Sequence, residues 1–554
     1  MAVLETLPQA LAAKPARSSL ESAIAEWQTV LPAGCILNRQ DALQKYGPNT
    51  AGISRAIPLA LIPQCADDVA ALVRIAGKHR IALYPISTGK NWGYGCANPV
   101  TDDCVIVDLS QLNRIVSFDA ELGLVTLEPG VTQRMLAEYL DERGLRFMVP
   151  VTGAGPDASL LGNAMERGYG LTPYSDHFAA VMRLEAVLPN GQMYRSALTA
   201  AGGLDVDNAF KWGAGPYLDG LFAQGNYGIV TQVTIALAPI SERIEAFFFS
   251  IADDALLEET VHAVREVLTR TGAVTGALNL MNTRRMLSMI EPYPSEVPPG
   301  TIMPRAVFNK LAARHALGAW TGAGALYGPT GVVRAAKSEL KRILRPVASG
   351  LTFLTEEKIA FAQRWTQRLP FLKNSGLAQR LKRAEAFMQN VSGRPSEIAL
   401  PLAYWKSGRR PSEGPMNPSH DGCGLLWYAP LVPMKPACVR AYVAMVERIC
   451  EAHGIEPLIT LTSFSNRCFD STVPILFDRS RMEEVERAHT CYHALFEAGR
   501  SMGMLPYRLG VHSMQEMVDP DAAFWKLGAA IKNAIDPHNL IAPGRYASIR
   551  NPQR

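Results

Sequence analysis

The chain has 554 residues, 48% of them apolar, and 55 basic side chains against 51 acidic ones for a net charge of +4. That supplies apolar content for two or more cored domains, and it excludes a mainly disordered chain and a surface built to track nucleic-acid phosphates. The nine cysteines, at 35, 65, 96, 104, 423, 438, 450, 468 and 491, form no CxxC pair and no zinc-like spacing, so they read as reduced thiols of a cytoplasmic protein.

Met1 to Gln28 alternates leucine and alanine with Glu5, Lys14, Arg17, Glu21 and Glu26, which breaks the apolar core a signal peptide needs. No stretch reaches the ~18 to 20 uncharged apolar residues of a membrane span. Leu20 to Leu31 has helical spacing, and Arg39 to Tyr46 reads as a short helix before the Gly47-Pro48 turn. A strand over Pro58 to Ile62 leads to a helix over Ala66 to His79, with Asp67 and Asp68 where the helix dipole favours carboxylates. The strand Ile81 to Pro85 then delivers the chain into Tyr84-Pro-Ile-Ser-Thr-Gly-Lys-Asn-Trp-Gly-Tyr-Gly95. Three glycines, two hydroxyls and an amide in so short a loop suit a phosphate cradle.

A buried-strand run follows at Cys104 to Leu109, then a strand and turn over Gly123 to Gly130 and a helix through Glu138 and Tyr139. Gly153 to Gly170 is a second glycine-dense stretch, and Gln224 to Thr231 a third. Neither common nucleotide loop is present: there is no GxxxxGK[ST], and Gly89-x-x-x-Gly93-x-Gly95 is not GxGxxG. From 241 to 500 helical patterns at Asp254 to Thr271, Val332 to Leu344, Pro436 to His453 and Arg481 to Met502 alternate with strands at Ile244 to Ile251, Gly424 to Leu431 and Pro457 to Ser465. That predicts an α+β layer, a sheet with helices on one face. The basic residues Arg364, Arg368, Lys373, Arg380, Lys382 and Arg383 read as a solvated helical face.

Six blocks in order resemble the vanillyl-alcohol oxidase and p-cresol methylhydroxylase family of flavoenzymes: Pro85 to Gly95, Glu128 to Thr132, Leu161 to His177, Gly215 to Phe222, Gly228 to Thr231 and Asp536 to Arg545. The resemblance implies an α+β, two-domain fold of the p-cresol methylhydroxylase (PCMH) type that binds FAD. A lead-in (1–50) would precede an FAD-binding domain (51–240), a cap or substrate domain (241–500) and a C-terminal return to the FAD domain (501–554). The cofactor-binding residues expected from it are Pro85, Ser87, Thr88, Gly89, Lys90, Asn91, Gly93, Gly162, Asn163, Gly228, Ile229 and Arg545.

Phenol-oxidising members of the family hold their substrate as a phenolate with two tyrosines and an arginine, and the matched residues here are Tyr94, Tyr507 and Arg508. Arginine suits the role because it stays charged when buried and donates in a fixed fork. The expected activity is oxidation of the benzylic carbon of a para-substituted phenol by hydride transfer to flavin N5, with oxygen or a protein electron acceptor reoxidising the flavin. A non-phenolic alcohol or biosynthetic intermediate as substrate, or an electron-transfer subunit, are the alternatives. Resemblance also implies a homodimer or higher oligomer.

The chain departs from the pattern in three places. Where several oxidases of the family carry an aspartate near flavin N5, Ala154 stands here, with Asp157 three residues on; and the Leu461 to Pro474 stretch offers Arg467 and Asp470 in place of an acid and histidine cluster. Leu425 occupies the position of a flavin-linked histidine, which leaves Tyr404 and His420 as candidates for covalent attachment and noncovalent FAD as the reading adopted. His177 is expected to be structural, His512 to lie near the pocket wall, and no spacing of His, Asp and Glu suggests a metal.

Overall fold

The computed structural model describes residues 17–368 and 376–548; the first 16 residues of the lead-in and Lys373 lie outside them. Local chemistry sets the first elements. Asn38 accepts the amides of Gln40 and Asp41 to start the helix Arg39–Tyr46. The helix Ala66–His79 has Asp67 and Asp68 at its start and Lys78 and His79 at its end, so both termini match the dipole. Its apolar face (Val69, Leu72, Val73, Ala76) is buried in the same core as the strands beside it.

Those strands, β1 (Ile36–Leu37), β2 (Ala60–Leu61), β3 (Leu83–Ile86) and β4 (Val105–Asp108), form a sheet in the order β1-β2-β4-β3. β2, β4 and β3 run parallel, and β1 is antiparallel to β2. The free edge of β3 is closed from far along the chain: Leu83 donates its amide to Leu540 O at 2.7 Å, and Ala542 donates to Leu83 O at 2.8 Å. A second, antiparallel sheet contains β5 (Ile115–Asp119), β6 (Leu124–Leu127), β7 (Val181–Val187), β8 (Met193–Arg195) and β9 (Ile229–Ala236), ordered β5-β6-β9-β7-β8 around its own core.

The third sheet has eight strands: β10 (Arg243–Ile251), β11 (Asn279–Asn282), β12 (Trp320–Gly328), β13 (Gly350–Leu354), β14 (Cys423–Tyr428), β15 (Leu431–Pro433), β16 (Thr460–Ser463) and β17 (Cys468–Asp478). Its order is β13-β10-β12-β11-β16-β17-β14, with β15 paired to β17. The helix Leu257–Thr271 packs against both Thr330–Leu344 and Pro436–Ala452. Strand alternation decides which residues meet them. On β17, Phe469, Val473, Ile475 and Phe477 join the core shared with those helices, which turns Asp470 to the opposite face.

The strand β12 reads Trp-Thr-Gly-Ala-Gly-Ala-Leu-Tyr-Gly, a poor strand sequence by propensity. Its glycines sit opposite aromatic rings: Gly322 pairs with Phe249 and Gly324 with Phe247, and a Cβ on Gly322 would lie 2.0 Å from Phe249 Cζ. Each ring covers the bare backbone across from it. Gly322→Ala is therefore expected to cost about 1–3 kcal/mol through overpacking, read as a lowered midpoint of thermal unfolding. Among the described residues no helix is long and apolar enough to cross a membrane.

Candidate active site

The loop after β3 is bent by glycines at left-handed φ, +67° at Gly89, +75° at Gly93 and +119° at Gly95. At Gly93 a side chain is also excluded by contact, because a Cβ would lie 2.3 Å from Trp427 Cδ1. The loop is anchored at its far end by Gly93 N donating to Thr50 Oγ1 (2.8 Å), Tyr94 N to Asn91 O (3.1 Å) and Trp92 Nε1 to Ala154 O (3.0 Å). Between β3 and those anchors, the amides of Thr88, Gly89, Lys90 and Asn91 donate to no protein acceptor among the described residues. Four consecutive free N–H groups in a half-buried loop are the donor set a pyrophosphate requires, so these residues fit FAD.

The second glycine-rich stretch backs this loop. Ser159 N donates to Thr88 Oγ1 at 3.2 Å, and Ser159 Oγ caps the short helix Leu160–Met165 by accepting Gly162 N at 2.9 Å. Gly162 is required by close approach, since a Cβ there would lie 2.3 Å from Ser87 Oγ. Asn163 is hydrogen-bonded through Oδ1 to His177 Nδ1 at 2.6 Å; burial depresses the imidazole to about 4, so it is neutral, and its Nε2 has no partner. Pro85 lies within β3, and Lys90 Nζ stands 5.4 Å over the Trp92 ring. Gly228 packs tightly on Val187 O, and Ile229 begins β9 with its side chain in the core.

The segment carrying Tyr507 and Arg508 is held at both ends. Leu431 N donates to Leu505 O (2.9 Å) on one side, and Val511 N donates to Tyr94 O (2.9 Å) on the other. Tyr94, Tyr507 and Arg508 are thereby brought together. The Arg508 guanidinium lies 4.3 Å over the Tyr94 ring, and its Nη2 donates to Asn91 Oδ1 at 2.5 Å. The Asn91 side chain thus supports Arg508 through its oxygen, beyond the donor role toward FAD that the sequence suggests. Neither the Tyr94 nor the Tyr507 hydroxyl has a protein hydrogen-bond partner among the described residues.

A half-buried carboxylate missing from the expected set organises the arginines. Glu166 accepts from Arg545 Nη2 and lies 3.6 Å from Arg508 Nε, while Arg545 Nη1 donates to Tyr84 OH at 3.4 Å. Burial works against the charge on Arg508, and Glu166 with Tyr94, Tyr507 and Tyr546 outweighs it, so its pKa is raised. Burial also raises Tyr94, against the opposing pull of Arg508, and raises Tyr507 well above the ordinary phenol value. At neutral pH the cluster is two protonated phenols and a permanent cation.

Asp470 completes the cluster from β17. It is 1% exposed, and its Oδ1 has no hydrogen-bond partner. Burial pushes its carboxyl up to about 7, against the nearby Tyr169 hydroxyl and Arg508 charge. The Phe464 ring packs edge-on to both Tyr169 (4.8 Å) and Tyr507 (5.6 Å), fixing this wall. A charged residue inside the alternating run Cys468-Phe-Asp-Ser-Thr-Val is the sequence signal for it.

The other candidates lie elsewhere. Asp157 is half exposed and paired with Arg134 at 3.0 Å, and Arg467 is exposed. Tyr404 is buried with its hydroxyl donating to Asp421 Oδ2 at 2.5 Å, whereas His420 is exposed. His512 is packed against Tyr492 and His489, and burial depresses it to about 3. Both its ring nitrogens lack partners, so it has no hydrogen-bonded route for a proton.

A family model described as an FAD binding domain matches residues 57–197. The chain is 34% identical to 1'-carboxy-chondrochloren decarboxylase of Chondromyces crocatus over 95% of this chain and 97% of that protein. It is 28% identical to the flavoprotein subunit of 4-cresol dehydrogenase [hydroxylating] of Pseudomonas putida, covering 96% of each. The crystal structure of p-cresol methylhydroxylase with substrate bound superposes with a TM-score of 0.86 at 27% identity, covering 97% of this chain and 98% of that one. With a free-amide cradle, a PCMH-type fold and relatives matched over nearly their whole length, the chain belongs to the vanillyl-alcohol oxidase and p-cresol methylhydroxylase family of FAD-dependent oxidoreductases.

Proposed function

We propose that the protein oxidises the benzylic carbon of a para-substituted phenol. The observation that carries this reading is the pair of unengaged phenol hydroxyls, Tyr94 and Tyr507, beside the Arg508 guanidinium. Two neutral donors and a fixed cation stabilise a bound phenolate over the phenol, because an ionised oxygen gains most from charge-assisted hydrogen bonds in a dry site. Electron density released into the ring then weakens the benzylic C–H bond toward hydride loss. Bound FAD supplies the two-electron hydride acceptor; Ser87 to Asn91 would hold its pyrophosphate, and noncovalent binding fits the engagement of Tyr404 by Asp421. Glu166 and Asn91 keep Arg508 in place, and Tyr169 and Phe464 exclude water from the Tyr507 side.

The quinone methide left on the substrate has three exits: water adds, a neighbouring proton leaves, or a carboxylate on the adjacent carbon departs as CO2 while its bonding pair forms the alkene and restores the phenolate. The first two need a base, and we assign that role to Asp470, a carboxyl whose burial raises it to about 7. The third needs none, and the similarity to a decarboxylase favours it as a second reading. Anaerobic mixing with 4-alkylphenols and with 3-(4-hydroxyphenyl)propionates tests both. Flavin bleaching by either class is expected, and bleaching by neither would remove the phenol reading. With a base-dependent exit, product formation should rise as pH climbs through about 7, where Asp470 loses its proton. Asp470→Asn should abolish that rise, whereas CO2 release should survive the substitution.

A further inference from the structure

A second concave site lies on the opposite face of the third sheet from Asp470. It is a cavity of about 310 Å³ lined by Arg243, Glu245, Arg334, Lys337, Ser338 and Lys341, with Thr330 at its rim. The helix Thr330–Leu344 builds the outer wall, and its lining residues fall at steps of four, seven, eight and eleven from Thr330, one stripe along three turns. Val333, Ala336, Leu340, Ile343 and Leu344 bury the other side, so the stripe is fixed in place. The floor is the start of β10, where Arg243 and Glu245 share the sheet face that Phe247 and Phe249 take further on.

The charges do not cancel. Glu245 is 1% exposed and pairs with Lys337 at 2.5 Å and Arg243 at 3.2 Å. Burial opposes its charge, but those two cations hold its carboxyl below the usual value, so it is ionised. Four cations face one carboxylate on the lining, and Glu242, which accepts from Thr330 Oγ1 at 2.6 Å, brings a second carboxylate to the rim, so the cations remain in excess. Arg334 and Lys341 form no ion pair among the described residues. The Phe353 ring, buried in the core, lies beneath Lys337 Nζ (4.7 Å) and Lys341 Nζ (5.7 Å) and so helps fix the stems of these two lysines. A merely solvated basic helix face would extend its cations outward; here Lys337 and Arg243 are drawn inward by Glu245, and the others share a concave surface with them.

We propose that this cavity binds a multivalent oxyanion of the phosphate class, with Arg334 and Lys341 as the anion ligands. A concave surface with an excess of positive charge concentrates such anions, and Arg334 can meet a phosphoryl group with two parallel N–H donors. Water occupies ~30 Å³ per molecule in the liquid, so the cavity exceeds the room one phosphate needs.

The test is calorimetric titration of the FAD-loaded protein with inorganic pyrophosphate at fixed ionic strength. Saturable one-to-one binding is expected, weakened roughly tenfold or more by Arg334→Ala and by Lys341→Ala, the loss of one charge-assisted contact each. Lys382→Ala, an exposed cation on the helix Gly376–Val391, should leave it unchanged. Absence of saturable heat, wild-type affinity in both cavity variants, or an equal loss in Lys382→Ala would overturn the proposal. All three side chains are exposed, so the variants should fold, and their flavin spectra check that they do.

Discussion

Arg508→Ala should retain FAD yet reduce its flavin with a 4-alkylphenol about 10²–10³-fold more slowly, the loss typical when one preorganised donor to an oxyanion is removed. Retention of FAD is expected because the loop carrying the free amides keeps anchors that do not involve Arg508: Gly93 N to Thr50 Oγ1, Trp92 Nε1 to Ala154 O and Ser159 N to Thr88 Oγ1. The rate loss follows because Tyr94 and Tyr507 stay protonated and supply only neutral donors once the cation is gone. Arg508→Lys should recover little, because an ammonium cannot reproduce the fork that reaches Asn91 and Glu166 together. Stopped-flow absorbance under anaerobic conditions measures this. A variant reduced within a few-fold of the wild-type rate would remove Arg508 from the chemistry.

Asp536→Ala should cost about 3–5 kcal/mol of stability, the price of stranding a buried cation. Lys532 is 1% exposed and donates to Asp536 Oδ2 at 2.6 Å, to Ile541 O at 3.0 Å and to Asn226 O. Asp536 in turn accepts the amides of Leu540 (2.8 Å) and Ile541 (3.0 Å), shaping the turn that lays Ile541 beside β3. Lys532→Met combined with Asp536→Ala removes the unpaired charge and should recover part of the loss, though not the turn. Urea unfolding compares the three proteins, and a single variant as stable as the double would refute the account.

The parts legible in the sequence are those whose cause is local. The helices Arg39–Tyr46 and Ala66–His79 fall on their expected bounds, because caps and terminal charges are written within a few residues. The helix expected at Pro436 to His453 likewise ends within one residue, at Ala452. β12 is not legible, since Gly322 and Gly324 become strand residues only when Phe249 and Phe247 arrive from β10. The expected strand Gly424 to Leu431 is two strands, β14 and β15, interrupted at Ala429-Pro430 where Pro430 bridges to Pro506. At the site, Tyr94 lies in a matched block while Tyr507 and Arg508 are matched to the family's phenolate-holding residues ahead of the last block, and the fold brings the three together. Glu166 lies inside the Leu161 to His177 block and Asp470 stands out as a charge in an apolar run, but neither role is written locally: what matters is which arginines surround the one and how dry the other is, and both depend on distant chain segments.

The closure of the β3 edge by Leu540 and Ala542 has a consequence for the order of assembly. Arg545 and Tyr84 are separated by 461 positions, and Arg545 reaches Glu166 across 379. A nascent chain that has already emitted the flavin loop therefore lacks the strand edge and the arginine that brace it until residues 540–545 leave the ribosome. The β3 edge and the contacts of Arg545 with Tyr84 and Glu166 are accordingly among the last parts of this region to be completed during synthesis.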